Sequence, residues 1–245
     1  MIRRLILVSA MLLFANGAIA AGNFVQYKVG GESFEGYFIS PADNAPLIVM
    51  VHDWDGLTEY EVKRADMLAE LGYAVFAVDL FGEGIRPVET EEKKKLTGML
   101  YEDRERMRGL LQGGLDKAAE LGGNRDNAVA IGYCFGGAAI LELARTGAAL
   151  KGFVSFHGGL ETPENQSYSQ TKGKILVLHG SADTSVTLDQ FAALAKELEE
   201  QDVDHEMITY GGAPHAFTVF DTERYREDAD RKSWQRFTRF LADTL

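Results

Sequence analysis

The chain has 245 residues, of which 46% are hydrophobic and 25% are charged, and its formal net charge is −12 at pH 7. These values are typical of one globular domain that can bury a substantial core. The acidic balance excludes a protein that holds nucleic acid by non-specific electrostatics, so we expect no nucleic-acid partner.

The first twenty residues have the pattern of a signal peptide. Arg3 and Arg4 supply a positive start, residues 5–14 are apolar, and Ala18-Ile19-Ala20 is a small-x-small cleavage motif. The apolar run is too short for a confident membrane span. We therefore expect export to the periplasm or the medium, cleavage after Ala20, and no stable membrane insertion of the remaining domain, residues 21–245. An uncleaved membrane anchor is the alternative.

The remaining sequence alternates between strand-like and helix-like stretches. It begins with a hairpin around Gly30-Gly31 and continues with short apolar runs, each followed by a helical pattern. This order predicts an α/β fold, with a mainly parallel central sheet, helices on both faces and an N-terminal β-hairpin. The predicted strands are 24–29, 34–39, 47–51, 74–78, 128–131, 152–156, 174–178 and 204–210, and the predicted helices are 58–71, 90–121 with a break near Tyr101, 188–200 and 222–242.

The six residues 132–137, Gly-Tyr-Cys-Phe-Gly-Gly, lie between an apolar strand and a helix-forming segment. The pattern is G-x-S-x-G with cysteine in place of serine, which is typical of a strained strand-to-helix turn that presents a nucleophile. At a helix N-terminus a thiolate is favoured over a thiol, so we expect a reactive Cys134. The alternative is a buried cysteine in an ordinary glycine turn. Cys134 is the only cysteine, so an intramolecular disulfide is excluded.

Polar residues follow several predicted strands, and these strand ends meet at one rim of a parallel sheet. Cys134, Asp183 and His215 occur in the order nucleophile, acid, histidine, which is the order of the α/β-hydrolase triad. We therefore expect His215 to take the thiol proton and Asp183 to orient the imidazole. Asp79 is a weaker candidate for the acid because it precedes the nucleophile.

The other histidines are expected to have structural rather than catalytic roles. His157 and His179 end strands and are expected to be satisfied structural histidines, and His205 is expected on the surface of an edge strand. No histidine–carboxylate spacing indicates a metal site, and no glycine-rich phosphate loop is present in the sequence. We expect neither a metal nor a cofactor.

The chain resembles the dienelactone hydrolase family of α/β-hydrolases from about Phe24 to the C-terminus. The segments that carry the resemblance are residues 132–137, Leu-His-Gly-Ser-Ala-Asp at 178–183, and Tyr-Gly-Gly-Ala-Pro-His-Ala-Phe at 210–217, with residues 71–82 in support. The resemblance implies the triad Cys134, Asp183 and His215. It also implies that Asp53, where well-known members have glutamate, contacts the resting thiol, and that the backbone N–H groups of Trp54 and Phe135 form the oxyanion hole.

The resemblance is incomplete at the substrate pocket. Members that cleave dienelactone hold the substrate carboxylate with arginines, one of them a few residues after the histidine, but residues 216–220 here contain no cation. Arg86, Arg104, Arg106 and residues 93–95 are the candidates to replace it. Trp54, Phe135, Phe217 and Phe220 are candidates for an apolar pocket, and each could equally be an ordinary core residue. We expect a hydrolase of small-molecule carboxylic esters or lactones that forms an acyl-thioenzyme. The alternative is a non-catalytic exported protein that binds a ligand or partner on a hydrolase fold.

Overall fold

The computed structural model describes residues 21–245, so the predicted signal peptide at 1–20 lies outside the described residues. Within that range the chain alternates strands and helices as the sequence predicts. The strands are β1 (Asn23–Val29), β2 (Glu32–Ile39), β3 (Pro46–Val51), β4 (Ala74–Val78), β5 (Asn124–Tyr133), β6 (Gly152–Phe156), β7 (Lys174–Gly180) and β8 (His205–Tyr210). The helices are α1 (Glu59–Ala69), α2 (Thr90–Glu102), α3 (Arg104–Glu120), α4 (Phe135–Arg145), α5 (Leu188–Glu200) and α6 (Glu227–Thr244).

The eight strands form one sheet in the order β1-β2-β4-β3-β5-β6-β7-β8. The hairpin strand β1 pairs antiparallel with β2, and β2 pairs antiparallel with β4, whereas all pairs from β4 to β8 are parallel. The predicted hairpin is correct, and Gly30 and Gly31 turn the chain with positive φ angles of 58° and 88°. This is the α/β-hydrolase fold that the sequence predicts.

Helices cover both faces of the sheet, so the apolar core has two layers, one on each face of the sheet. Apolar side chains of α2, α3, α4 and α5 pack in one cluster with one face of the strands, and those of α1 and α6 pack on the other face. The strands β4 and β6 are buried at every position, which is expected of strands covered on both sides. The parallel strands therefore end at a common rim whose position is fixed by a fully packed sheet.

Two details differ from the sequence-based prediction. Helix α6 begins at Glu227 rather than near residue 222, so β8 and α6 are joined by a long irregular segment, residues 211–226. Leu71, the last residue of the predicted helix 58–71, lies outside the helix and is 53% exposed, because α1 ends at Ala69 and the chain turns at Gly72. Among residues 21–245, no helix is both long enough and apolar enough to cross a membrane.

Candidate active site

Cys134 lies at the sharp turn between β5 and α4. Its backbone has a φ of 49°, in the left-handed region where a non-glycine residue is strained, and such strain is concentrated at functional sites. The turn closes only because its neighbours lack side chains: a Cβ on Gly132 would lie 2.2 Å from the backbone of Gly136, and a Cβ on Gly136 would lie 2.3 Å from the carbonyl oxygen of Val51. The glycines predicted to permit a nucleophile elbow are therefore required by the backbone.

The structure brings Cys134, Asp183 and His215 together in the arrangement predicted from chain order. The Nε2 atom of His215 lies 3.0 Å from the sulfur of Cys134, and its Nδ1 atom lies 2.7 Å from Oδ2 of Asp183. A carboxylate accepts only, so Nδ1 carries the proton and Nε2 is left to accept the proton of the thiol. The geometry is suited to removal of that proton by the imidazole.

Asp183 is held by the backbone that follows it. Its Oδ1 atom accepts hydrogen bonds from the N–H groups of Ser185 and Val186 at 2.8 and 2.9 Å. Burial acts to raise the pKa of this carboxyl, but the hydrogen bonds from His215, Val186 and Ser185 outweigh burial and lower the pKa below its usual value. Asp183 is therefore ionised beside His215 at neutral pH.

The thiol differs from the reactive thiolate expected from its helix N-terminal position. Burial, followed by the charge of Asp53 and a hydrogen bond to it, raises the pKa of Cys134 well above that of an ordinary thiol. The hydrogen bond from the N–H of Phe135 acts in the opposite direction and is weaker. The expectation of a lowered pKa is wrong for this structure, because burial and Asp53 outweigh the helix terminus.

Asp53, although one methylene shorter than glutamate, lines the same cavity as the thiol. It is 7% exposed, and its contact with Cys134 is strong enough to affect the pKa of both groups. Its Oδ1 atom also accepts the N–H of Trp54 at 2.5 Å. Of the two backbone donors predicted for the oxyanion hole, Trp54 donates to Asp53 in this state, and the N–H of Phe135 is close enough to the sulfur to lower the pKa of the thiol.

The environment of Asp53 favours its neutral form. Burial and the charge of Asp55 raise the pKa of Asp53 to about 6, and the hydrogen bonds from Trp54 and Cys134 reduce this effect only partly. Glu61 lies beside it, within 3.3 Å of the Asp53 backbone nitrogen, and burial raises the pKa of Glu61 to about 7. Asp53 and Glu61 are therefore two buried acids that titrate close to neutrality.

A cavity of about 300 Å³ opens above the thiol. Trp54 and Phe135 line it, whereas Phe217 is fully buried in the core and Phe220 packs against Tyr60, so of the two alternatives for these two residues the structure supports the core. The side chains that take their place come from α2 and from the loops after β7 and β8. The lining consists of Asp53, Trp54, Thr97, Tyr101, Cys134, Phe135, Gly159, Ser185, Val186, His215, Ala216 and Arg224.

The cation in the pocket lining is one that the sequence analysis missed. Arg224 is exposed, lies in the segment between β8 and α6, and forms no ion pair with any residue of 21–245. The sequence predicts that this segment starts the last helix, so no sequence pattern indicates that Arg224 lines the pocket. Arg86, Arg104 and Arg106 pair instead with carboxylates outside the lining, namely Asp79 and Glu35, Glu142, and Glu32 respectively.

Lys93 is the one predicted lysine near the pocket. Its ammonium group lies 3.6 Å from a carboxylate oxygen of Asp55 and 5.3 Å from the centre of the Trp54 ring. Lys94 and Lys95 are exposed, as expected of a solvated helix face. Lys93 therefore covers the outer side of Trp54 rather than reaching into the cavity.

The remaining polar candidates lie outside the triad. Asp79 accepts hydrogen bonds from the N–H groups of Glu35, Phe81 and Gly82, so it supports a turn. His157 and His179 are fully buried, but Nδ1 of His157 and both ring nitrogens of His179 have no hydrogen-bond partner within residues 21–245. The expectation that both are satisfied is therefore wrong. In the described part of the chain, no group of His, Cys, Asp and Glu is arranged to hold a metal ion.

Comparisons with known proteins find similar sequences over nearly the whole chain. Residues 34–245 match the family model described as "Dienelactone hydrolase family". A Salmonella typhimurium protein named as a carboxymethylenebutenolidase is 25% identical over 96% of this chain and 92% of its own length, and a Bradyrhizobium protein named as a 2-oxo-3-(5-oxofuran-2-ylidene)propanoate lactonase is 25% identical over 90% of this chain and 94% of its own.

Two solved structures are similar over most of their length. The structure of m3DLH has a TM-score of 0.84 and 31% identity, and the alignment covers 91% of this chain and 98% of that one. A dienelactone hydrolase-like promiscuous phosphotriesterase from metagenomic libraries has a TM-score of 0.83 and 29% identity, with the same coverage of 91% and 98%. Both alignments thus cover most of this chain and nearly all of the other.

Proposed function

The chain belongs to the dienelactone hydrolase family of ester and lactone hydrolases, and on that basis we propose that it acts through an acyl-thioenzyme on Cys134. The observation that carries the proposal is the position of His215, which bridges the thiol and the Asp183 carboxylate at 3.0 and 2.7 Å. No other described histidine contacts both a nucleophile and a carboxylate.

The first half of the reaction acylates the sulfur. Nε2 of His215 takes the thiol proton as the sulfur attacks the substrate carbonyl carbon, and the carbonyl oxygen becomes an oxyanion. When the carbon–oxygen bond breaks, the imidazolium returns that proton to the leaving alkoxide. Asp183 stabilises the cation formed on His215 between these steps. Because the pKa of the resting thiol is raised, the sulfur depends on His215 to remove its proton before or during attack.

The second half releases the acid. His215 removes a proton from water, the hydroxide attacks the thioester carbon, and the sulfur departs and regains a proton from the imidazolium. The oxyanion of each half-reaction needs donors, and the N–H groups of Phe135 and Trp54 are the candidates. Trp54 becomes available only when the Asp53 carboxylate releases it, so a substrate carbonyl must compete with Asp53 for this donor.

Hydrolysis of a chromogenic short-chain ester and of a lactone panel tests the proposal. We expect Cys134→Ala and His215→Ala each to reduce kcat/KM by at least about a thousandfold, since these groups act as a unit. Mass spectrometry of a rapidly quenched reaction should show an acyl adduct on wild-type protein and none on Cys134→Ala. The matched control is Thr222→Val, which should leave turnover unchanged. It removes an exposed hydroxyl that is bonded only to the Val219 carbonyl. Wild-type turnover no faster than that of Cys134→Ala would support the non-catalytic alternative.

We further propose that Arg224 selects substrates with an anionic substituent at the pocket rim. It is a cation in the lining without a carboxylate partner among residues 21–245, and a guanidinium binds a carboxylate through two parallel hydrogen bonds. Arg224→Gln should raise KM for a carboxylate-bearing lactone by about tenfold and leave KM for a neutral ester unchanged. Equal changes for both substrates would refute this assignment while leaving the triad intact.

Export is proposed from residues 1–20. Their charged start, apolar run and Ala18-Ile19-Ala20 motif support removal by a signal peptidase. Mass spectrometry of the protein recovered from the periplasm or medium should give an N-terminus at Ala21. An intact N-terminus in the membrane fraction would favour the anchor.

A further inference from the structure

His215 lies in an irregular segment of sixteen residues, 211–226, between β8 and α6. Loops of this length without secondary structure are uncommon and usually functional, and they need tertiary anchors to hold one conformation. The segment contains a strained residue directly after the histidine, since Ala216 has a φ of 59°. The precision of the 3.0 Å contact between His215 and the thiol therefore depends on what fixes this segment.

Thr218 is the deepest anchor of the segment. It is fully buried, and its hydroxyl lies 2.7 Å from the Tyr60 hydroxyl and 2.8 Å from Nε2 of His157. Its carbonyl oxygen accepts a hydrogen bond from Arg64 at 2.9 Å. Three elements, α1, the end of β6 and the His215 segment, thus meet at a single side chain.

The hydrogen bonds at Thr218 form a continuous buried network. Arg64 can only donate, and its Nε lies 3.3 Å from the Tyr60 oxygen, so Tyr60 accepts from Arg64. The hydroxyls of Tyr60 and Thr218 share the next hydrogen bond, in which either can donate, and the Thr218 hydroxyl shares another with Nε2 of His157. Arg64 is itself 1% exposed and paired with Asp230 of α6 at 2.5 Å. The network therefore connects the buried guanidinium to His157.

The ring of His157 packs edge-on against the ring of His215, with centroids 5.4 Å apart. His157 has a φ of 41°, so its backbone is also strained, and Phe217 packs on its other side. Burial, followed by the nearby His215 and Arg64, holds the pKa of His157 well below its usual value. The His215 ring is thus supported by an uncharged surface, which does not oppose the positive charge that His215 acquires.

We propose that Thr218 and His157 are positioning residues for His215: Thr218 fixes the segment that carries the base, and His157 supplies the ring against which the base packs. Neither residue touches the substrate or the thiol. The inference rests on the proposed function for its effect on turnover, but its effect on the contact between His215 and Cys134 can be measured without any substrate.

Thr218→Val is the decisive variant because valine has nearly the same shape and removes only the hydroxyl. We expect kcat for ester hydrolysis to fall by about tenfold with KM within about twofold, since a small misplacement of a catalytic group is costly. We also expect the rate of Cys134 alkylation by iodoacetamide, followed from pH 5 to 9, to lose its His215-dependent component and approach the profile of His215→Ala. Thr218→Ser, which restores the hydroxyl, should recover the wild-type profile.

Controls separate positioning from stability. Thr222→Val makes the same substitution at an exposed position of the same segment and should leave both profiles unchanged. Tyr60→Phe interrupts the hydrogen-bond network one residue further away and should give an intermediate alkylation profile, which keeps the test available if Thr218→Val does not fold. A Thr218→Val protein with a lower melting temperature and a wild-type alkylation profile would overturn the proposal. If wild-type protein hydrolyses no ester, the proposed function fails, yet the alkylation profiles still decide this inference.

Discussion

Replacing Asp53 by asparagine should make the protein more stable at neutral pH. The substitution keeps an oxygen that can accept the N–H of Trp54, places an amide donor beside the sulfur of Cys134 and removes a buried charge. Burial raises the pKa of Asp53 from 3.8 to about 6, so the folded chain holds a proton that the unfolded chain has already lost between these pH values. Wild-type stability therefore falls as the pH rises from about 4 to 6.

The size of the effect follows from the two pKa values. Their difference corresponds to about 3 kcal/mol of unfolding free energy, fully expressed above pH 6. We expect Asp53→Asn to recover about 1 to 3 kcal/mol of this at pH 7.5, the lower figure allowing for a weaker hydrogen bond to Trp54. The gain should vanish near pH 4, where the wild-type carboxyl is protonated in both states.

Urea unfolding of both proteins at intervals from pH 4 to 8 measures the effect. Glu61 also titrates in this interval, so the informative quantity is the difference between the two unfolding free energies at each pH. Asp126→Asn, at an exposed carboxyl, is the control and should stay within about 0.5 kcal/mol of wild type. A difference that is flat from pH 4 to 8, or a variant less stable than wild type at pH 7.5, would refute the reasoning.

Three further predictions concern the site and its support. Asp53→Asn should speed alkylation of Cys134 near pH 7 by about tenfold, because it removes the charge that raises the thiol pKa; a rate equal to wild type would mean that burial alone sets this pKa. Gly136→Ala should lower the free energy of unfolding by at least about 3 kcal/mol or prevent folding, since the new Cβ would collide with the backbone. Gly109→Ala is the control: it lies in open space on α3 and should raise the free energy of unfolding, measured by thermal unfolding, by about 0.5 to 1 kcal/mol. Asp230→Asn should cost about 3 kcal/mol in urea unfolding because it leaves a buried guanidinium unpaired; a loss below about 1 kcal/mol would contradict this.

The sequence alone was sufficient for the parts of the molecule that depend on local patterns. Strand-to-helix alternation predicts the sheet and its hairpin, and strands β4 and β6 and helix α5 have the predicted bounds. The positions of Cys134, Asp183 and His215 after strands predict their meeting, because parallel strands place their carboxyl ends at one rim. These features need only periodicity, glycine positions and chain order.

The features that could not be predicted depend on long-range packing. The start of α6 was placed too early because residues 222–226 have helix-compatible composition, and this error concealed Arg224 at the pocket. Phe217 and Phe220 could equally have faced the pocket or the core, and only the packing of α1 and α6 decides. The raised pKa of Cys134 likewise depends on burial and on the side-chain conformation of Asp53, which no sequence motif specifies.

The two halves of the site are held by different kinds of structure, which sets how they respond to heat. Asp53 and Cys134 follow Val51 and Gly132, a register pair of the adjacent central strands β3 and β5, so their spacing belongs to the global fold. His215 depends on a segment outside the sheet, and such segments open at lower free energy than core strands. Warming should therefore separate base from nucleophile in a reversible local opening before the sheet melts, so that inactivation precedes unfolding and amides of 211–226 exchange with solvent earlier than those of β5.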